Sequence, residues 1–260
     1  MIFENKKYLS FSHQLADAAG KILIKHYKSQ NISKSLKSYG TRNEFVTNID
    51  VVIEKKIRRL INSKFPSHNI LGEEEGLTNN ESPYTWIIDP IDGTNAYITG
   101  VPLFGFMLSL KYKESFILGL VDQPILKERY WNNINYSYLN RKKIFTSKVT
   151  KLADTVITCT DPNMYKNFPD LNKSLFKKVS FVRWGTDVIG YMRCAEGLVD
   201  AVIERNIKIW DVAAVEPIIR NAGGVITTWD GKTIGSNDTV CASSNNSLHK
   251  ILLKKLQKFL

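Results

Sequence analysis

Cysteine is scarce in this chain. Cys159, Cys194 and Cys241 are odd in number and far apart, which excludes a disulfide framework and the close spacing of a zinc site and favours a reducing compartment. Long apolar runs are missing as well: Gly, Lys or Asp interrupts the greasiest stretches within about ten residues, whereas a membrane-spanning helix needs about 20. The opening MIFENKKYLS is too polar for a signal peptide. Together these absences predict a soluble, cytoplasmic protein with no membrane partner. No block of about five like charges, internal repeat or low-complexity segment is visible, so charged tails, solenoids and disordered tracts drop out.

What is present is the composition of a folded enzyme, with 43% hydrophobic, 23% charged and 11% aromatic residues over 260 positions. By surface-to-volume scaling such a chain buries roughly 70–75% of its unfolded surface, so a core forms without staples. The net charge is +11, from 36 Lys and Arg against 25 Asp and Glu. That balance suits a nucleic acid, an anionic substrate or merely scattered solvated lysines, and charge alone does not choose among them.

Phe11, Leu15, Ala18, Ile22 and His26 follow helical spacing. A second amphipathic helix carries Ile49, Ile53, Ile57, Leu60 and Ile61 inward and Lys55, Lys56, Arg58 and Arg59 outward, so the first quarter reads as helical. From residue 84 a sheet begins: 86–88 is a short buried strand, and 103–112 and 115–121 are two strands around a Lys-Glu turn. A polar, Lys/Asn-rich stretch follows near 132–151. The remainder alternates, with strands at 155–158, 179–183, 199–203 and 225–228, helices at 187–196 and 211–221, and a closing helix over 247–260. In that last helix Lys250, Lys254 and Lys258 lie opposite Leu252, Leu256 and Phe259, a solvated face over a core stripe.

The segment Trp86-Ile87-Ile88-Asp89-Pro90-Ile91-Asp92-Gly93-Thr94 carries the most chemistry. Pro90 holds Asp89 extended at the end of an apolar strand and Asp92 follows on a tight turn, so two carboxylates can converge on a hard cation. Gly93 and Thr94 then open a segment whose backbone N–H groups can receive a phosphate. A simple Pro-Ile-Asp-Gly turn explains the same residues equally well. Glu73, Glu74 and Glu75 between Gly72 and Gly76 are, alone, a solvated loop. Asp211 after Ile209-Trp210 is, alone, a helix N-cap. Taken together, Glu73, Asp89, Asp92 and Asp211 are the oxygen-rich set that Mg²⁺ requires.

This order and spacing resembles the inositol monophosphatase family. The likeness runs through Phe45-Val46-Thr47-Asn48-Ile49-Asp50, Gly72-Glu73-Glu74, Asp89 to Thr94, Trp210-Asp211 with Val212, Ala213 and Ala214, and Ala222-Gly223-Gly224. It implies an α/β (α+β) fold, a layered α-β-α-β-α sandwich of the sugar/inositol phosphatase type, acting as one catalytic unit with approximate subdomains 1–150 and 151–260. It also implies a Mg²⁺-dependent phosphomonoester hydrolase with two or three ions. Glu73 and Asp89 with the Ile91 carbonyl would hold the first ion, Asp89, Asp92 and Asp211 the second, and waters a weaker third. Thr94 and Glu73 match the pair that orients the attacking water, and Gly93 and Thr94 the phosphate-binding backbone. A homodimer is implied on the same ground. Two departures stand out: Glu44 occupies a position where the family often has Asp, and the loop from Glu74 to Pro83 is short. Asp50 and Glu74 are candidates for supporting the ligands or for a structural role.

Three stretches lean toward the histidinol-phosphate phosphatase branch: 97–105, 160–165, and 183–191, where Arg183, Gly185, Asp187 and Tyr191 match and two tyrosines of that pattern are missing. Asn95 is closer to the inositol enzymes, and Gly185-Thr186 suits both. Histidinol phosphate carries an ammonium group and an imidazole, so added carboxylates are expected in its pocket, and Asp187 and Glu204 can supply them beside Asp211. Alternatively, Asp187 caps a helix and Glu204 is a solvated strand end. The leading expectation is therefore a histidinol-phosphate phosphatase of histidine biosynthesis, with inositol 1-phosphate as the alternative substrate. A nucleotide 3′-phosphatase and an RNA- or RNA-polymerase-binding regulator rank below it, the latter because no aromatic-basic RNA motif is visible.

Overall fold

The structure is a computed structural model that describes residues 2–39 and 42–260, with side chains described for 6–36 and 45–260. Its frame is two sheets. The larger runs in the order β10-β9-β8-β7-β6-β5-β3-β4, built from β3 (Asn69–Gly72), β4 (Gly76–Thr78), β5 (Tyr84–Asp92), β6 (Gly105–Tyr112), β7 (Ser115–Gln123), β8 (Glu128–Asn132), β9 (Ser137–Leu139) and β10 (Lys142–Ile144). The smaller runs β12-β11-β13-β15-β14, from β11 (Val156–Cys159), β12 (Phe181–Trp184), β13 (Ala201–Arg205), β14 (Val225–Thr227) and β15 (Thr239–Ser243). A separate antiparallel hairpin, β1 (Lys34–Tyr39) with β2 (Arg42–Thr47), precedes them. The helices are α1 (Ile2–His26), α2 (Asn48–Lys64), α3 (Thr94–Thr99), α4 (Phe168–Ser174), α5 (Asp187–Ala195), α6 (Ile209–Ala213), α7 (Val215–Asn221) and α8 (Asn246–Leu256).

Side-chain alternation along the strands explains why these pieces stack as layers, because successive residues of a strand face opposite sides of its sheet. Trp86 and Ile88 of β5, with Phe106, Leu108 and Leu110 of β6, pack against Leu15, Leu23, Ile53, Ile57 and Ile61 of α1 and α2. Between Trp86 and Ile88, Ile87 points the other way, with Met107, toward α5, α6 and α7. Val202, Val240 and Ala242 of the smaller sheet meet the same helices from the far side. Ala201, Ile203 and Cys241 turn outward onto Leu171 of α4 and Leu248, Leu252 and Leu256 of α8. The result is the α-β-α-β-α sandwich that the resemblance implies. Each fully buried isoleucine of α2 contributes on the order of 1.5–3 kcal/mol of transfer free energy, an upper bound against a compact unfolded chain.

Several local expectations change. The first quarter is not wholly helical, because β1 and β2 lie between α1 and α2. The polar stretch near 132–151 contains β9 and β10. The helix expected over 211–221 is two short ones, α6 and α7, on either side of Ala214. Arg58 is buried rather than solvated, because it pairs with the buried Glu54 one turn earlier. The side chain of Glu44 lies outside the described residues. Among the described residues no helix is long and apolar enough to cross a membrane.

Candidate active site

One cleft gathers Glu73, Asp89, Asp92, Asp187, Glu204 and Asp211 on its walls. The two sheets and three helix ends bring them there, starting from β5. Residues three apart on a regular strand face opposite sides, so Asp89 and Asp92 should diverge. They converge because β5 bulges between them: Asp89 pairs with Met107 and Asp92 with Gly105, one extra residue on the β5 side. Pro90, which has no N–H to give a ladder, sits inside this bulge. The tight turn expected here is thus a bulged continuation of the strand. The Ile91 N–H donates to Asp89 Oδ1 at 3.0 Å, and the Thr94 hydroxyl donates to the Ile91 carbonyl at 2.8 Å.

Gly93 has φ of +85°, in the left-handed region, and a side chain there would come within 2.6 Å of the Leu103 carbonyl. Only glycine fits without strain. The chain then enters α3, whose first N–H groups face no intrahelical acceptor. Across the cleft the Val188 N–H at the start of α5 donates to Asp92 Oδ2, which ties that helix end to β5. Asp211 is the third residue of α6, not its N-cap. Its Oδ2 accepts from the Lys208 N–H at 2.8 Å, so the side chain reaches back over the helix entrance.

Carboxylate oxygens of Asp89, Asp92 and Asp211 lie within 4.8 Å of one another. Burial first, then Glu73, Asp92, Asp211 and Asp50, push the Asp89 carboxyl well above the usual range. For Asp92 burial is again the main cause, followed by Asp187, Asp211 and Glu204. Oxygen donors this close and this reluctant to ionise together are matched to a hard divalent cation, which removes their mutual repulsion. The residues present therefore fit a metal, with Glu73 lining the same cleft and its charge acting on the Asp89 carboxyl.

Asp50, left without an assigned role by the sequence, sits behind Thr94. Its Oδ2 accepts from the Thr47 N–H at 2.8 Å and from the Thr47 hydroxyl at 2.6 Å, while Oδ1 lies 3.4 Å from Thr94 Oγ1. Burial raises its pKa to about 6. Asp187 is not the N-cap of α5 either. It is the first helical residue after Thr186, with φ of +43°, a conformation Asp and Asn tolerate better than most. Glu204 is 3% exposed rather than solvated, with Oε1 accepting from Thr160 at 2.5 Å and Oε2 from Tyr191 at 2.7 Å. Thr160 and Tyr191 share the cleft, whereas Gly185 and Thr186 are not among its lining residues. Gly185 is exposed, its N–H on the Thr160 carbonyl at 2.9 Å, and Thr186 is buried behind it.

A layered α/β sandwich with a carboxylate cleft at the ends of its strands is an architecture suited to metal-assisted hydrolysis. Residues 4–260 match the inositol monophosphatase family, and the chain belongs to that family and is a phosphomonoester hydrolase. It is 34% identical to the bifunctional phosphatase IMPL2 of Arabidopsis thaliana over 98% of this chain and 76% of that protein. With the fructose-1,6-bisphosphatase/inositol-1-monophosphatase of Aquifex aeolicus it shares 31% identity over 98% and 97%. The crystal structure of the suhB suppressor protein from Bartonella henselae superposes with a TM-score of 0.90, at 27% identity over 98% of this chain and all of that one. Other relatives carry the names histidinol-phosphatase, inositol-1-monophosphatase and Nus factor SuhB.

Proposed function

We propose that the chain is a Mg²⁺-dependent phosphatase whose substrate carries a cationic leaving group, histidinol phosphate being the candidate of that chemistry. One observation carries this reading. The cleft holds two buried carboxylates, Asp187 and Glu204, beyond the set suited to the metal, and a desolvated carboxylate favours an ammonium over a neutral hydroxyl.

In this reading Glu73, Asp89, the Ile91 carbonyl, Asp92 and Asp211 would hold two ions, and a third would bind more weakly. Bound there, Mg²⁺ supplies charge neutralisation for the phosphoryl oxygens and the leaving oxygen and makes water more acidic. The chain's own part is positioning. N–H groups of Gly93 and Thr94 receive the phosphate. The single hydrogen of the Thr94 hydroxyl has two acceptors nearby, Ile91 O at 2.8 Å and Asp50 Oδ1 at 3.4 Å. A lone pair on Oγ1 is thereby left to accept from the attacking water, with Glu73 as its second acceptor. Asp50, held by Thr47 and 3.4 Å from that hydroxyl, can take the released proton through it.

A panel of histidinol phosphate, inositol 1-phosphate, adenosine 3′,5′-bisphosphate and fructose 1,6-bisphosphate, with Mg²⁺ and again in excess chelator, tests the reading. We expect the highest kcat/KM for histidinol phosphate and none with chelator. Preference for inositol 1-phosphate would move the assignment to the alternative, and full activity in chelator would remove the metal. The proposal extends to a homodimer of single catalytic units, a part that sedimentation as a monomer at micromolar concentration would end.

A further inference from the structure

We propose that Glu54 and Arg58 of α2 form a positioning pair that fixes Glu73 for the cation, so that metal affinity is set from outside the cleft. The inference rests on Glu73 being a metal ligand, as in the function proposed above. Asp50 and Glu54 are four residues apart and share one face of α2. Asp50 turns to Thr94, and Glu54 turns to the hairpin that joins β3 to β4 and carries Glu73, Glu74 and Glu75.

Glu54 is fully buried, and both of its oxygens are used. Oε2 accepts from the Glu74 N–H at 2.8 Å, and Oε1 accepts from the Glu75 N–H at 3.1 Å and from Arg58 Nε at 2.8 Å. Arg58 then forks onto the other end of the hairpin, donating to the Gly76 carbonyl at 2.5 Å and to Thr78 Oγ1 at 3.1 Å. It also lies 3.4 Å from Glu75 Oε2. The carboxylate reaches these N–H groups only because residue 72 is glycine, since a Cβ there would overlap it. Two successive N–H groups pointing at one anion are a turn held from beneath. With the backbone of 74 and 75 pinned to α2 and the Glu73 N–H on the Ile88 carbonyl at 3.2 Å, Glu73 is left facing the cleft. Arg58 offsets charge in a segment where three adjacent glutamates repel.

Calorimetric titration of Mg²⁺ into the wild-type chain, Glu54→Gln and Gly72→Ala tests the pair. Glutamine keeps one acceptor but loses the other and the charge that holds Arg58. Alanine pushes the carboxylate out of its notch without removing a charge. We expect each variant to bind Mg²⁺ about 10–100-fold more weakly, as when an outer partner of a metal ligand is lost. The double variant should be less than additive, and KM for the phosphomonoester at saturating Mg²⁺ unchanged. If Glu54→Gln does not fold, the alanine variant alone decides. A folded variant with lower thermal stability and wild-type Mg²⁺ affinity overturns the pair while leaving the functional reading intact. Absence of Mg²⁺ binding by the wild type overturns that reading, and the pair with it.

Discussion

Asp187 stands at the cleft in a left-handed conformation, and of the like charges around Asp92 it acts on that carboxyl most strongly. Asparagine tolerates the same backbone, so Asp187→Asn removes charge without adding strain. If the carboxylate meets the substrate's ammonium, kcat/KM for histidinol phosphate should fall by the equivalent of about 2–5 kcal/mol, the cost of breaking a desolvated charge pair. A small phosphomonoester without an ammonium group should react nearly as before. Equal kcat/KM for histidinol phosphate in variant and wild type ends the pairing. The sequence brought Asp187 and Glu204 into consideration but assigned their bland alternatives from local rules, and neither survives. Asp187 follows the cap rather than being it, and two hydroxyls from other elements hold Glu204. Such partners lie 44 and 13 residues away in the chain, beyond the reach of any local pattern.

At the scale of elements, α2 links the fold to the chemistry through its cap. Thr47 is the N-cap: its hydroxyl accepts from the Ile49 N–H at 3.1 Å, and Asp50 closes the box by accepting from the Thr47 N–H. Thr47→Val keeps the volume and removes that acceptor, so unfolding free energy should drop by about 1 kcal/mol, the usual worth of an N-cap, in urea or guanidinium titration. Because the Thr47 hydroxyl also holds Asp50 Oδ2, kcat should fall with KM unchanged; a variant with full kcat would separate the cap from the reaction. The apolar period of α2 was legible because four isoleucines bury on one stripe. The hairpin before it was not, since among its described side chains Leu36 is 55% and Phe45 37% exposed. Strands β9 and β10 were hidden for a similar reason, with Lys142 and Lys143 exposed. The bulge in β5 could not be read at all: it is a property of two strands, and only the pairing with β6 reveals it.

For the whole molecule the acidic cluster makes stability depend on the cation and on pH together. Burial raises the folded pKa of Asp50 to about 6 and those of Asp89 and Asp92 well above the ordinary carboxylate range, against about 3.9 in the unfolded chain. Raised carboxyls favour the folded state below pH 4, where both states are protonated at these groups. That contribution is lost as pH rises through 6 and beyond, because the folded state then holds charges it repels. His249, lowered to about 4 by burial, works in the opposite sense and gains stability between pH 4 and 6.5. It lies against Ser243 and Thr227, away from the cleft, and contributes alike with and without metal. The informative quantity is therefore the difference in Tm between saturating Mg²⁺ and excess chelator. At about 100 times its Kd the cation adds roughly 2.7 kcal/mol, which for a chain of this size corresponds to a Tm rise of about 5–10 °C. That rise should be smaller at pH 5 than at pH 8, because protons compete with the cation for carboxyls whose pKa burial and their like-charged neighbours raise. A metal-induced shift of the same size at pH 5 and pH 8 would show that the cation binds elsewhere, at groups whose ionisation does not depend on the cleft.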